Sequence, residues 1–278
     1  MRVGLEHYFM VKTKSGNTKT PVKNESSRQP GESSVEKIVE LNGYYLLWLV
    51  LSLVCVGFAS LEWVHYYAKT PPIPIPLTVL ATIVLSFGLW NMSRIKKEVK
   101  NRELGLEGER EVADELENLM RRGCYVYHDL QCEGDNSNKF NIDHVIVSTY
   151  GIYVIETKAY SKPKSGPAEV IFDGNNVTLT GKSPDSKPIQ QAINNARWLR
   201  DQIYEKTDRK SFDVTAIVVF PGWLVPADQI KRGKGVWVMN PNYLESTITK
   251  LQITVKPTDV ELVKTALRPL TRVRRGSN

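Results

Sequence analysis

The sequence predicts a mixed α/β domain carried behind a two-helix membrane hairpin. Three observations predict it. Two long uncharged apolar runs stand in the first third of the chain. The remainder alternates strand-like runs with helix-periodic segments, the order expected of sheet-plus-helix layers. The composition, 41% apolar over 278 residues, suffices for a packed core and excludes wholesale disorder. The net charge of +7 allows a polyanionic partner without demanding one.

Residues 1–40 read as a basic, poorly ordered cytoplasmic arm. Their stretch KTKSGNTKTPVKNESSRQPGESS is polar and rich in Ser, Pro and Gly. Its basic residues read as a solvated tail, with contact to anionic headgroups as the alternative. The two apolar runs follow within residues 41–93. The first, LNGYYLLWLVLSLVCVGFASL, has no charge between Glu40 and Glu62, and the second, TPPIPIPLTVLATIVLSFGLWNMS, none between Lys69 and Arg94. About 20 apolar residues cross a bilayer core as a helix, so spans are predicted over residues 43–61 and 73–92. The first run lies too far from Met1, and is too long, for a signal peptide. Tyr44, Tyr45, Trp48, Trp63, Tyr66, Tyr67 and Trp90 mark the predicted interfaces, where amphipathic rings are favoured. Pro74 and Pro76 fall near the start of the second span, where a missing N–H costs least.

Charge placement predicts the orientation. The connection between the spans holds one basic residue, Lys69, whereas the basic linker 94–102 holds Arg94, Lys96, Lys97, Lys100 and Arg102. Basic residues stay cytoplasmic, so both termini and the following domain are expected on the cytoplasmic side of the cell inner membrane. Cys55 lies within the first span, and Cys124 and Cys132 lack metal-ligand spacing. In a cytoplasmic domain these are expected as free thiols.

Residues 103–278 then read as one domain. LEGEREVADELENLMRRG is an amphipathic helix ended by Gly123. CYVYHDLQC, FNIDHVIVS and IYVIETKAY are three strands, the last two joined by the short turn TYG. AEVIFDG and VTLTG make a hairpin around Asn175-Asn176. KPIQQAINNARWLRDQIYEK is a helix with Ile193, Ala196, Leu199 and Ile203 at helical spacing. FDVTAIVVFPG suits a buried strand, VWVMN is a short strand, and TDVELVKTALRPL is a last helix with Thr258 as N-cap.

One strand carries unexpected chemistry. Side chains alternate along a strand, so Val154, Glu156 and Lys158 share one face, and Tyr153, Ile155 and Thr157 the other. A carboxylate and an ammonium therefore project together at the end of an apolar strand. Asp143 sits at the edge of the preceding strand, and pairing through the short turn brings it near Glu156. His144, its neighbour, points to the opposite face and reads as structural. Two carboxylates at a strand edge suit Mg²⁺, a hard cation that prefers oxygen ligands. Such an ion lowers the pKa of a bound water and offsets charge on a phosphate, and a nearby lysine adds a point charge. This is equipment for phosphodiester hydrolysis.

The stretches GLEGEREVADEL, NIDHVIVSTYGIYVIETKAY, FDGNNVTLTG and KPIQQAINNARWL, in that order over about residues 105–200, resemble the nuclease-related domain (NERD) family of the PD-(D/E)xK nuclease superfamily. The resemblance implies a restriction-endonuclease-like mixed sheet flanked by helices. It assigns Asp143 and Glu156 to a Mg²⁺ or Mn²⁺ ion and Lys158 to water activation or phosphate stabilisation. It adds Glu109, in the Gly-Glu step, as a further acidic residue, and Gln191, in the Pro-x-x-Gln step, as a helical glutamine near the site. Gln190 beside it reads as surface. Lys187 stands where the family often has Asn.

Two basic groups are expected to meet nucleic-acid phosphates: Lys162 and Lys164, with Lys182 and Lys187 nearby, and Lys231, Arg232 and Lys234 in KRGKG. The expected function is a membrane-anchored, metal-dependent nuclease acting on DNA. Its alternatives are a catalytically inactive nuclease-like module that binds nucleic acid or a protein at the membrane, and a structural membrane protein engaging anionic lipid.

Overall fold

The computed structural model describes residues 28–68, 74–134, 138–230 and 235–270. Two long helices come first, α1 (Glu32–Tyr67) and α2 (Pro74–Arg121). Both are long and apolar enough to cross a membrane by length and composition. Leu46, Leu53 and Phe58 on α1, and Ile83, Phe87 and Leu89 on α2, are exposed. The two helices pack through small residues, with Ser52, Ala59, Ala81 and Gly88 buried. A Cβ on Gly88 would lie 2.6 Å from Ser52 Oγ, so glycine there permits the close approach. Trp48 meets Phe87 edge-on at 5.2 Å, and Trp63 Nε1 donates to Thr78 Oγ1 at 2.8 Å.

Two boundaries differ from the expectation. The first helix begins at Glu32, inside the stretch expected as a poorly ordered arm. Its start is held by contacts to residues distant in sequence, which local composition does not report. The second helix does not stop at the expected linker 94–102. It continues unbroken to Arg121, so the hairpin's second helix and the domain's first helix are one element. Nothing between Ser93 and Leu104 breaks a helix: the run RIKKEVKNRE has no Gly or Pro and is mostly Arg, Lys and Glu, which have good propensity, laced by an Arg102–Glu98 ion pair at 3.1 Å. Gly123, at φ 84°, ends it at the predicted place.

The strands β1 (Tyr125–Glu133), β2 (Lys139–Ser148) and β3 (Gly151–Thr157) form an antiparallel meander. A small antiparallel pair follows, β4 (Val170–Phe172) with β5 (Val177–Leu179), shorter than the runs that predicted it. Asp173 Oδ1 accepts from the N–H groups of Asn175 and Asn176 and closes that turn. Next come α3 (Lys187–Lys206) and β6 (Val214–Val219), then β7 (Val236–Met239). The short α4 (Leu244–Ile248) and α5 (Pro257–Leu267) complete the domain. The sheet order is β1-β2-β3-β6-β7, with β6 parallel to both β3 and β7.

Each sheet face has its own core. Val145, Val147, Val154, Ala216 and Val218 pack with Ala192, Ala196, Leu199 and Ile203 of α3 on one face. Ile146, Tyr153, Ile155, Ile217 and Val219 pack with Val112, Leu116 and Leu119 of α2 on the other. The central strand β3 is covered on both sides, which explains its continuous apolar run. Helices α2 and α3 thus approach the carboxyl end of β3 from opposite faces. The three cysteines are free thiols, as expected.

Candidate active site

Register brings the first two carboxylates together. His144 pairs with Ile155 across β2 and β3, so the next positions, Asp143 and Glu156, stand opposite each other where the ladder ends. Asp143 Oδ2 accepts from the Thr157 N–H at 2.7 Å, which fixes its carboxylate over the end of β3. Glu156 is 2% exposed. Its Oε1 accepts from Lys158 Nζ at 2.7 Å and its Oε2 from Asn195 Nδ2 at 3.0 Å. Lys158 Nζ also donates to Gln191 Oε1 at 3.0 Å. Gln191 and Asn195 lie one turn apart on α3, so that helix sets both partners of the Glu156–Lys158 pair.

Glu109 arrives from the opposite face on α2. The preceding Gly108 explains how α2 comes so near: a Cβ there would lie 2.6 Å from the Ala159 Cβ, just beyond Lys158. Asp143, Glu156 and Glu109 are thus near enough to act on one another electrostatically, with Glu156 paired to the Lys158 ammonium. Burial pushes the Asp143 carboxyl well above the usual range, reinforced by Glu156 and Glu109 and opposed by the Thr157 N–H. Burial also raises Glu156, against the pull of Lys158 and Asn195. Glu109 is pushed up to about 7 by burial and by Asp129, with a Ser34 hydrogen bond acting the other way. Burial disfavours the Lys158 ammonium, but the Glu156 carboxylate outweighs it and the net shift is upward.

Residues 104–221 match the model of the nuclease-related domain, NERD. Over this stretch the chain is similar to that family. Such domains belong to the PD-(D/E)xK-like nuclease group. The match takes in Glu109, Asp143, Glu156, Lys158 and Gln191, and leaves the α1 helix and the elements after Pro221 outside it. No curated protein matches the chain.

The NERD site has an all-oxygen acidic donor set with negative charge in excess, the chemistry of a hard-cation site. Among the described residues no group of three or more His, Cys, Asp or Glu side chains stands in metal-holding geometry. A cation of that kind would be met by Asp143 and Glu156, which stand opposite each other at the end of the ladder.

The other expected residues fall into place around the NERD site or outside it. His144 is buried away from the carboxylates, its Nδ1 2.8 Å from His128 Nδ1, and burial holds it well below the usual histidine range. Gln190 is exposed. Lys162, Lys164, Lys182 and Lys187 are exposed, and Lys182 Nζ stands 4.0 Å over the ring of Tyr160, two residues past Lys158. Tyr160 in turn stacks on Phe220 at 6.2 Å. Lys231, Arg232 and Lys234 lie outside the described residues.

Sequence reasoning missed Asn195 and Asp129. The signal for Asn195 was available: a polar side chain interrupting the buried stripe Ala192, Ala196, Leu199 of α3. Asp129, at φ 48°, faces Asp143 across β1 and β2, between the pairs His128–His144 and Leu130–Ile142. Nothing in HDLQC alone marks that position.

Proposed function

We propose that this protein is a membrane-anchored, metal-dependent nuclease that hydrolyses phosphodiester bonds, with DNA as substrate. The observation that carries the reading is Asp143 and Glu156 standing opposite each other at the end of the β2–β3 ladder, with Glu156 paired to Lys158 and Glu109 within electrostatic reach. Asp143 and Glu156 hold a Mg²⁺ or Mn²⁺ ion. That ion, when bound, supplies a water of lowered pKa and offsets charge building on the phosphate. Lys158 Nζ, tethered to Glu156 and Gln191, is a positioned charge for the attacking oxygen or the transferring phosphate. Glu109, whose carboxyl is pushed up to about 7 by burial, is suited to exchanging a proton near neutral pH. Lys162, Lys164 and Lys182 offer phosphate contacts beside the site.

Membrane anchoring is supported by the outward apolar side chains of α1 and α2. Each Leu or Phe left in water forgoes about 1.5–3 kcal/mol of burial. Lys69 alone between the spans, against five basic residues in 94–102, favours cytoplasmic termini and a cytoplasmic nuclease domain at the inner membrane. The aromatic and basic residues near the boundary support this placement too, with Arg94 over the Trp90 ring at 4.8 Å.

The test uses the full chain in detergent micelles with linear, circular and single-stranded DNA. Cleavage is expected with Mg²⁺ or Mn²⁺ and not with chelator. Asp143→Ala and Glu156→Ala are each expected to abolish it. DNA binding without cleavage under every condition would instead make the domain a non-catalytic binding module.

A further inference from the structure

The segment just before the hairpin is bolted to the nuclease domain at its site. Arg28 and Asp129 are each only 3% exposed, and Arg28 Nε donates to Asp129 Oδ2 at 2.9 Å. The same oxygen accepts from the Ser33 N–H at 2.8 Å and from Ser33 Oγ at 2.9 Å. Asn141 Nδ2 on β2 donates to Asp129 Oδ1 and to Ser33 Oγ, closing the network. A buried carboxylate with this many donors is held from several directions at once.

The same segment reaches Glu109. Ser34 Oγ donates to Glu109 Oε1 at 3.3 Å. Gly31, at φ 70°, presses so close to α2 that a Cβ would lie 2.3 Å from Leu106 Cδ1 and 3.4 Å from Glu109 Oε2. Thus residues 28–34 touch Glu109 directly, and through Asp129 they meet the position facing Asp143. Residues 28–34 precede the stretch matched by the NERD family.

We propose that residues 28–34 form a wall of the nuclease site, with Ser34 as a positioning residue that holds the Glu109 carboxylate toward Asp143 and Glu156. This rests on the nuclease reading. It makes the site a joint product of the NERD fold and the membrane-proximal segment, completed only when α1 is docked. Asp129 and Arg28 act one step further back, fixing the segment that carries Ser34.

Removing Arg28 or Asp129 leaves a buried charge without its partner and risks the fold. Ser34→Ala and Gly31→Ala retain both charged residues and are the informative variants. Each is compared with Ser34→Thr, which keeps the hydroxyl, as full chains in detergent micelles. The measurements are single-turnover cleavage rate at saturating DNA, DNA affinity and melting temperature. Ser34→Ala is expected to slow cleavage about tenfold, on the scale of one hydrogen bond to a charged group, with affinity and melting unchanged. Ser34→Thr should stay near the wild-type rate, and Gly31→Ala should slow cleavage by displacing the segment from Leu106 and Glu109. Wild-type rates in both Ser34→Ala and Gly31→Ala would overturn the proposal while leaving the nuclease reading intact. Equal slowing by Ser34→Thr and Ser34→Ala would overturn the role of the hydroxyl. A wild-type chain that cleaves no DNA sinks the nuclease reading first, and the site wall with it.

Discussion

Lys158 Nζ sits 2.7 Å from Glu156 Oε1 and 3.0 Å from Gln191 Oε1, so two elements set its position. On the proposed reading, Lys158 acts in the transition state more than in binding. Lys158→Ala is expected to lower the single-turnover rate about 100- to 1000-fold, on the scale of one oxyanion donor, with DNA affinity little changed. Loss of affinity in proportion to rate would make Lys158 a binding residue. Glu109 gives a second test at this scale, through stability. Its carboxyl is raised on folding, so its contribution is full below the ordinary value of 4.5 and is lost as pH rises through about 7. Asp143 shifts in the same direction. In cation-free buffer the melting temperature should therefore fall from about pH 5 to pH 8, and Glu109→Gln should flatten that fall. Added Mn²⁺ should restore stability at the high-pH end, because a ligand that binds only the folded state stabilises it. A pH-independent melting temperature would mean the carboxylates are not crowded. The Glu156–Lys158 pairing followed from strand alternation alone. The burial of Glu156 under Asn195 did not, since it depends on where a distant helix lands.

At the scale of elements, Gly108 decides how near α2 comes to the end of β3. Gly108→Ala places a methyl carbon 2.6 Å from the Ala159 methyl, closer than real Cβ contacts come. Overpacking of this kind typically costs about 1–3 kcal/mol, and here it pushes Glu109 away from the carboxylate pair. We expect a lower melting temperature together with slower cleavage. Unchanged activity would show that the rate does not depend on the seat of α2. The strands and α3 were readable because β6 and β3 are continuous apolar runs and α3 has a clear 3.6-residue stripe. The join between span and domain was not. A change from apolar to charged residues at Arg94 looks like a boundary, yet it marks only a change of surroundings along one uninterrupted helix. Composition reports the solvent a helix meets, whereas propensity and breakers report where it ends.

For the whole molecule, the first prediction is topological. With the native thiols replaced, a cysteine at position 66 or 67 should react with an impermeant reagent from outside the cell, and one at position 100 should not. The opposite pattern would place the nuclease domain on the wrong side of the membrane for this reading. The sheet order β1-β2-β3-β6-β7 puts the carboxylates of β2 and β3 beside one another, as the short turn between them implied. The return of the N-terminal segment to Asp129 was hidden from the sequence. Arg28 and Asp129 are 101 residues apart, and a polar stretch rich in Ser and Pro gives no sign of its partner.

The unbroken α2 also has a kinetic consequence. From Ser93 to Glu109 the helix rises about 24 Å, at about 1.5 Å per residue. An enzyme on a slack tether would search a volume; one on a stiff post searches a thin layer at a single height. On the proposed reading of an anchored nuclease, such a site would meet only strands that come alongside the lipid surface, and its encounter rate would follow how much nucleic acid is delivered to that layer rather than the bulk concentration.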